Sequence, residues 1–373
     1  MAGFYIHIPF CKKRCLYCDF FSTTLMERRK EYTEALLTEI RARKHEAGEP
    51  IKTIYIGGGT PSTLDISDLR QIIETIGTDD AEEITMELNP GDATLEYMQA
   101  LHRIGINRLS IGIQSFQNEL LQLIGRRHNA QQAIEAVQMA QEAGLDNISI
   151  DLMYALPTQT MEQWKADIET ALQLHVQHIS CYGLMYEEGT MLTRMRDNGE
   201  LTPIDEETEN AMYDYLCKRL KEAGWEHYEV SNFALPSYAS KHNSSYWNGT
   251  PYIGVGAGAH NYIKPVRSWN PDDLNAYING IMAHDLQRES ETLSDKDLYN
   301  EYIMLHLRRV NGLKTDLLRT FLAPMSSSLT DVTTKINDYI DRQLLLRTPD
   351  GRIRATQQGL HILNRIIEDL MIA

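Results

Sequence analysis

Long apolar runs are missing from this sequence. No stretch approaches the ~20 residues that cross a bilayer. The N-terminus lacks a basic segment followed by a long apolar core, so no secretory signal is expected and a cytoplasmic protein is. A basic surplus is missing too: 36 Lys and Arg face 52 Asp and Glu, for a formal net charge of −16. That argues against general nucleic-acid binding, which needs a basic face to displace phosphate counterions, and against a polybasic grip on anionic lipids. Local basic patches remain in "RRK" at 28–30 and "IGRRH" at 124–128. Cysteine is scarce and odd in number, five in 373 residues, which does not suit a disulfide framework. There is no low-complexity segment, and the only internal repetition is an alternation of strand-like and helix-like segments.

Apolar content of 42% and charged content of 24% are ordinary for a soluble globular protein. The length suits one large domain plus a smaller one. Short β-branched runs occur at 4–8, 52–56, 83–88, 108–113, 147–153 and 178–183. Amphipathic stretches of helical period lie at 26–46, 66–76, 94–104, 129–143, 160–174 and 205–223. Several close on glycine, as in "HRIGI" and "QEAGL". Repeated strand–helix units predict an α/β fold with a parallel sheet over residues 1–235. Six such units fall short of the eight that close a barrel, which leaves a partial (β/α)6 barrel or an open sheet. In either, ligands gather at the C-terminal ends of the strands. Informative residues stand there: "GGGTP" at 57–61, Glu87, Gln114 and Asp151.

Residues 236–290 are rich in turn signals and are expected to close over one edge of the sheet. From 291 to 373 the pattern is helical again, then strand, turn at Asp350-Gly351, strand and helix. That order predicts a mainly helical, winged-helix-like domain.

Three of the five cysteines, Cys11, Cys15 and Cys18, fall within "CKKRCLYC". Thiolates at i, i+4 and i+7 on one loop can converge on a metal. Zinc usually takes CxxC pairs with a second pair or histidines farther on, and no second pair exists here. His7 is a possible fourth ligand, or a packing histidine in a strand. A [4Fe–4S] cluster suits three thiolates, one on each of three irons, with the fourth iron left open to a substrate or cofactor. Free thiols are the remaining alternative. Cys181 and Cys217 read as small buried hydrophobes.

"CKKRCLYC", with Tyr17 before the third cysteine, resembles the CxxxCxxC motif of the radical S-adenosylmethionine (SAM) superfamily. The resemblance implies a [4Fe–4S] cluster on Cys11, Cys15 and Cys18 whose open iron is chelated by SAM. "GGGTP" resembles that superfamily's glycine motif. It is not a P-loop, because no GK[ST] follows. "YIHIPFC", "MELNPG", "RLSIGIQSF", "IGRRH" and "SIDLMYALPTQT" narrow the likeness to oxygen-independent coproporphyrinogen III oxidases and the related HemW haem chaperone family. By motif, Tyr5, Gly58, Gly59, Thr60 and Glu87 would line the SAM on the cluster. Tyr17, Gln114, Arg126 and Asp151 match positions that hold a second SAM in the oxidases. The plainer alternatives are that Gln114 and Asp151 only orient neighbours and that Arg126 is a solvated charge at a helix end.

Two departures favour the HemW branch. The oxidases resemble CxxxCxxCxC, whereas Phe20 stands at the fourth cysteine's place, and they carry an extension ahead of the cysteines. "HNSSYW" matches the HNxxYW pattern of HemW. His242 would then ligate haem iron, with Asn243, Tyr246 and Trp247 around a porphyrin. The plainer alternative is a polar turn whose aromatics pack on the barrel. The resemblance implies a chaperone that passes haem to acceptor haemoproteins, including respiratory enzymes at the membrane. A coproporphyrinogen oxidase is the enzymatic alternative, and a zinc-stabilised interaction protein the third.

Overall fold

The computed structural model describes residues 1–323 and 326–372, without the side chains of 326–329. Residues 324, 325 and 373 of the expected 291–373 module lie outside the described residues. Six parallel strands follow one another in chain order: β1 (Ala2–Ile8), β2 (Ile51–Gly58), β3 (Glu83–Leu88), β4 (Arg108–Gln114), β5 (Ile148–Tyr154) and β6 (His178–Gly183). Helices such as Arg29–Arg43, Ile66–Ile76 and Met161–Gln173 cross back between them. These starts are set by local chemistry. Asn129 and Thr160 each accept from a backbone N–H three residues on, while a glutamine there returns the bond. Helix ends use Gly105 and Gly144 at positive φ (96° and 81°), which glycine adopts without a Cβ clash.

Each strand divides its side chains by parity. Phe4, Ile6, Ile8, Ile54, Ile56, Ile84, Met86, Leu109, Ile111, Ile148, Ile150 and Ile179 are fully or almost fully buried, in one core with the helices. The opposite face is polar. Strand register brings Tyr5, Tyr55, Thr85 and Arg108 side by side, and one step on Glu87 faces Ser110, Gly112 faces Asp151 and Asp151 faces Ser180. One face therefore supplies the hydrophobic stabilisation and the other is free to carry chemistry.

The barrel does not close. Residues 252–292 extend the sheet at one edge instead of folding over it, which corrects the expectation for 236–290. β9 (Tyr252–Val255) runs parallel to β1, and β10 (His260–Ile263), β11 (Val266–Trp269) and β12 (Glu289–Thr292) continue antiparallel. At the other edge lie β7 (Glu226–Glu229) and β8 (Asn232–Ala234), giving the twelve-stranded order β12-β11-β10-β9-β1-β2-β3-β4-β5-β6-β8-β7. The expected boundary at 290–291 runs through β12.

The chain end builds a second, smaller core. β13 (Leu313–Lys314), β14 (Leu345–Arg347) and β15 (Arg352–Ala355) form an antiparallel sheet in the order β13-β15-β14. It packs with the helices Asp295–Leu307, Thr315–Leu322, Ser326–Asp341 and Leu363–Leu370 around Tyr299, Ile303, Leu318, Ile353 and Ile366. Gly351 turns the hairpin at φ 77°. Among the described residues, no helix is long and apolar enough to cross a membrane.

Candidate functional site

The loop after β1 carries the three cysteines to the C-terminal mouth of the sheet. Cys11 is buried, Cys15 and Cys18 half-buried. Cys11 N–H donates to Thr23 O at 2.8 Å, which closes the loop on itself. The Cys11 sulfur lies 3.4 Å from the Thr60 hydroxyl and the Cys15 sulfur 3.3 Å from Arg126 Nη1. Burial raises the Cys11 thiol and pushes the Cys18 thiol up to about 11. Among the described residues no three metal-ligating side chains already stand at a single ion's spacing. A cubane, with one thiolate per iron, does not require that.

The glycine turn is shaped by what it approaches. A Cβ on Gly59 would stand 2.9 Å from the Pro9 carbonyl and 3.0 Å from the Cys11 sulfur. One on Gly58, at φ 115°, would meet the His7 ring at 2.7 Å. Only glycine lets this strand end close against the cysteine loop. The donor set and this cradle fit a three-thiolate cluster. Asp92, missed in the sequence, ties the pieces together. It accepts from Lys12 at 2.7 Å, Arg127 at 2.8 Å and the Ser62 hydroxyl at 3.0 Å.

Below the mouth the polar face holds two carboxylates. Glu87 accepts from the Tyr55 hydroxyl at 2.9 Å and from Gly58 N–H at 3.1 Å. Burial and then Asp151 push its carboxyl up to about 7. Asp151 accepts from the Ser110 hydroxyl at 3.3 Å and is raised by burial. Both keep part of their surface open although protein surrounds them. Two carboxylates held uneasily in a polar hollow suit a cationic ligand. Tyr5 lies alongside, its hydroxyl 3.0 Å from His7 Nδ1 and its ring stacked on Tyr55. His7 also meets the Phe21 carbonyl at 2.9 Å, so both its nitrogens are engaged within the protein.

Arg126 donates to the Cys15 sulfur and to the Gly112 carbonyl, and its Nε is buried without a partner. Burial opposes its charge, but Tyr17 and Cys15 beside it hold the guanidinium protonated. Gln114 ends β4 at φ 73°, a strained backbone for a non-glycine residue. Gly58, Gly59, Thr60, Glu87, Arg126 and Asp151 thus gather with the cysteine loop toward the C-terminal strand ends; Tyr5 lies on the same polar face, Gln114 ends β4 and Tyr17 lies beside Arg126.

"HNSSYW" lies at the opposite end. It is not a turn but a short helix, Lys241–Trp247, that plugs the N-terminal ends of the strands. Glu83 caps it, accepting from Lys241 N–H at 2.9 Å and His242 N–H at 2.8 Å. His242 is fully buried. Its Nδ1 is 2.8 Å from the Thr53 hydroxyl and its Nε2 2.8 Å from the Tyr246 hydroxyl. Burial, then Arg108, lowers it to about 3, so the ring is neutral. Neither nitrogen is open to a metal in this arrangement. Asn243, Tyr246 and Trp247 are half-buried, with Tyr246 edge-on to Tyr252. The His242 ring stacks on Tyr55 at 5.1 Å, so Tyr55 spans from this floor to Glu87. Tyr55, Thr53 and Glu83 read as ordinary strand residues. Only the polar parity of their strands signals them.

Comparisons with known proteins bear on the family and the fold. Residues 5–171 match the Radical SAM superfamily. The chain is 36% identical to a protein of Lactococcus lactis named heme chaperone HemW, covering 99% of this chain and 97% of that one. It is 33% identical to the HemW of Bacillus subtilis, covering 98% of each. It is 32% identical to a mitochondrial radical SAM domain-containing protein 1 of zebrafish, covering 100% of this chain and 87% of that one. In fold it is similar to the coproporphyrinogen III oxidase HemN of Escherichia coli, a radical SAM enzyme, with a TM-score of 0.83 and 21% identity over 99% of this chain and 90% of that one.

Proposed function

The chain belongs to the HemW family of the radical SAM superfamily, and from that premise we propose that it is a haem carrier governed by a SAM-chelated [4Fe–4S] cluster. The observation that carries the cofactor half is the cysteine loop, with Cys11 against Thr60 and Cys15 against Arg126. Cys11, Cys15 and Cys18 hold the cluster, which when bound can pass one electron to a sulfonium cofactor. Glu87 receives the ammonium group of SAM, and the backbone at Gly58–Thr60 and the Tyr5 ring shape its pocket. Asp151 adds negative charge below. Arg126, turned to Cys15, steadies that thiolate, so Tyr17, Gln114 and Arg126 serve this one site as its wall.

The haem half rests on the relatives' names and on the HNxxYW match. With both His242 nitrogens engaged, His242 reaches haem only when the floor helix leaves Thr53 and Tyr55. The protein works in the cytoplasm and hands haem to acceptor haemoproteins, including respiratory enzymes at the membrane. The chain end from 291 serves as a winged-helix-like packing module.

Anaerobic reconstitution tests the proposal. Iron and sulfide near four each per chain, a cluster signal altered by SAM, and haem delivered to an apo-haemoprotein are the expected results. Zinc in place of iron would remove the cofactor half. Conversion of coproporphyrinogen to protoporphyrinogen in the same material would replace the carrier with an oxidase.

A further inference from the structure

A second cavity lies far from the cysteine mouth, where β7 and the helix Glu206–Glu222 meet the C-terminal core. It is an open pocket of about 720 Å³, within the range of small-molecule sites. In a chain of net charge −16 its lining is reversed in sign: Lys218, Lys221, Arg308, Arg309 and Arg354 against the single acid Asp214. Asp214 is already engaged by His361 at 2.8 Å. Among the described residues none of the three guanidiniums has a carboxylate within ion-pair distance; the nearby Glu229 is buried, and that burial pushes it up to about 7 against the opposing pull of Arg308. Arg308 donates to Asn364 Oδ1 at 2.9 Å and Arg309 to Asn248 Oδ1 at 2.6 Å, both neutral partners. The Nε atoms of Arg308 and Arg354 are buried with no partner. Clustered, half-buried and unpaired guanidiniums cost stability unless an anion completes them.

The remaining wall narrows the anion. Trp225, Val310, Leu346 and Leu360 make it apolar. His227, stacked on Phe233, and the half-buried Cys217 add two groups able to ligate iron. Cys217 packs against the main core, as its sequence suggested, and also lines this pocket. A compact phosphate would leave the apolar wall wet. A flat apolar disc with carboxylates at one edge matches both halves. Arg309 also ties the cavity to the HNxxYW segment, because Asn248 directly follows Trp247.

We propose that this cavity is the resting haem seat, with the two propionates on Arg308, Arg309 and Arg354 and the macrocycle against Trp225 and Leu346. This rests on the haem-carrier reading above. It differs in putting the cargo beside the floor helix rather than on His242.

The test uses the full, anaerobically reconstituted chain. Haem and haem dimethyl ester are titrated by Soret absorbance into wild type, R308E/R354E and R308K/R354K, with retained cluster absorbance as the folding control. Losing two charge-assisted contacts should weaken haem binding by about tenfold or more in R308E/R354E. R308K/R354K should recover most of it, and the diester should bind wild type weakly and be indifferent to the substitutions. Unchanged haem affinity in R308E/R354E overturns the seat while leaving the carrier reading intact. If wild type binds no haem at all, the carrier reading falls and takes the seat with it.

Discussion

The two ends of the barrel hollow are built from the same residue types and treat them in opposite ways. At the floor, the groups that hold the motif helix are paired, although Thr85 Oγ1 and Arg108 Nε nearby are buried without a partner. His242 has a partner on each nitrogen, and Glu83 accepts from two backbone N–H groups. At the mouth, groups are left short. Arg126 Nε has no partner, two thiols are raised by burial, Gln114 holds a positive φ, and Glu87 sits near half-ionised at neutral pH. A saturated buried network holds a fold together, whereas an incomplete one is completed by a ligand. A histidine from a family motif can therefore be a keystone, while the groups left short stand at an unremarkable strand end.

Substitutions can break this contrast. Cys15→Ala should abolish iron and sulfide uptake, measured by metal analysis, yet change the unfolding free energy by less than about 1 kcal/mol. His242→Ala should do the reverse. It leaves a cavity and strands Thr53 and Tyr246, costing roughly 2–5 kcal/mol in urea unfolding, while the protein that remains folded still takes up iron. Thr53→Val, which removes one partner of a buried pair, should cost about 1–3 kcal/mol by the same measurement. Equal effects at the two ends would erase the distinction.

Glu87 gives the finest probe. Its folded carboxyl lies at about 7 against an ordinary 4.5. The folded state therefore binds the proton more tightly than the unfolded chain. That contribution is full below pH 4.5 and lost as pH rises through about 7. Glu87→Gln should accordingly be more stable than wild type at pH 8, with the gap narrowing as pH falls through about 7 and closing below pH 4.5. Because the carboxylate is partly open to solvent, the gap will be smaller than the shift alone implies. The same variant should bind SAM more weakly at pH 8, where wild type is charged.

Much of the upper end was legible beforehand. Thiol spacing, the glycine run and the β-branched strand segments are local features, and the first two stand at or near a strand end, where the repeated strand–helix units put them. The floor was not legible. "HNSSYWNGTP" is rich in turn formers; Ser240 caps it locally as a helix, but the buried Glu83 far upstream takes two further N–H groups, and no local pattern reports that distant partner. β9 through β12 were missed for a related reason. Four-residue strands interrupted by Gly256, Gly258 and Pro265 carry too few positions to show alternation.

One pairing bears on how the molecule is made. β1, from which the cysteine loop hangs, lies between β2 and β9 in the sheet's interior. A ribosome releases its first edge partner by residue 58 and its second only after residue 255. Such a distant pairing closes slowly. During synthesis the segment bearing the thiols stays half-zipped until β9 has emerged, so its final setting is fixed late, on a chain whose other five parallel strands are already made.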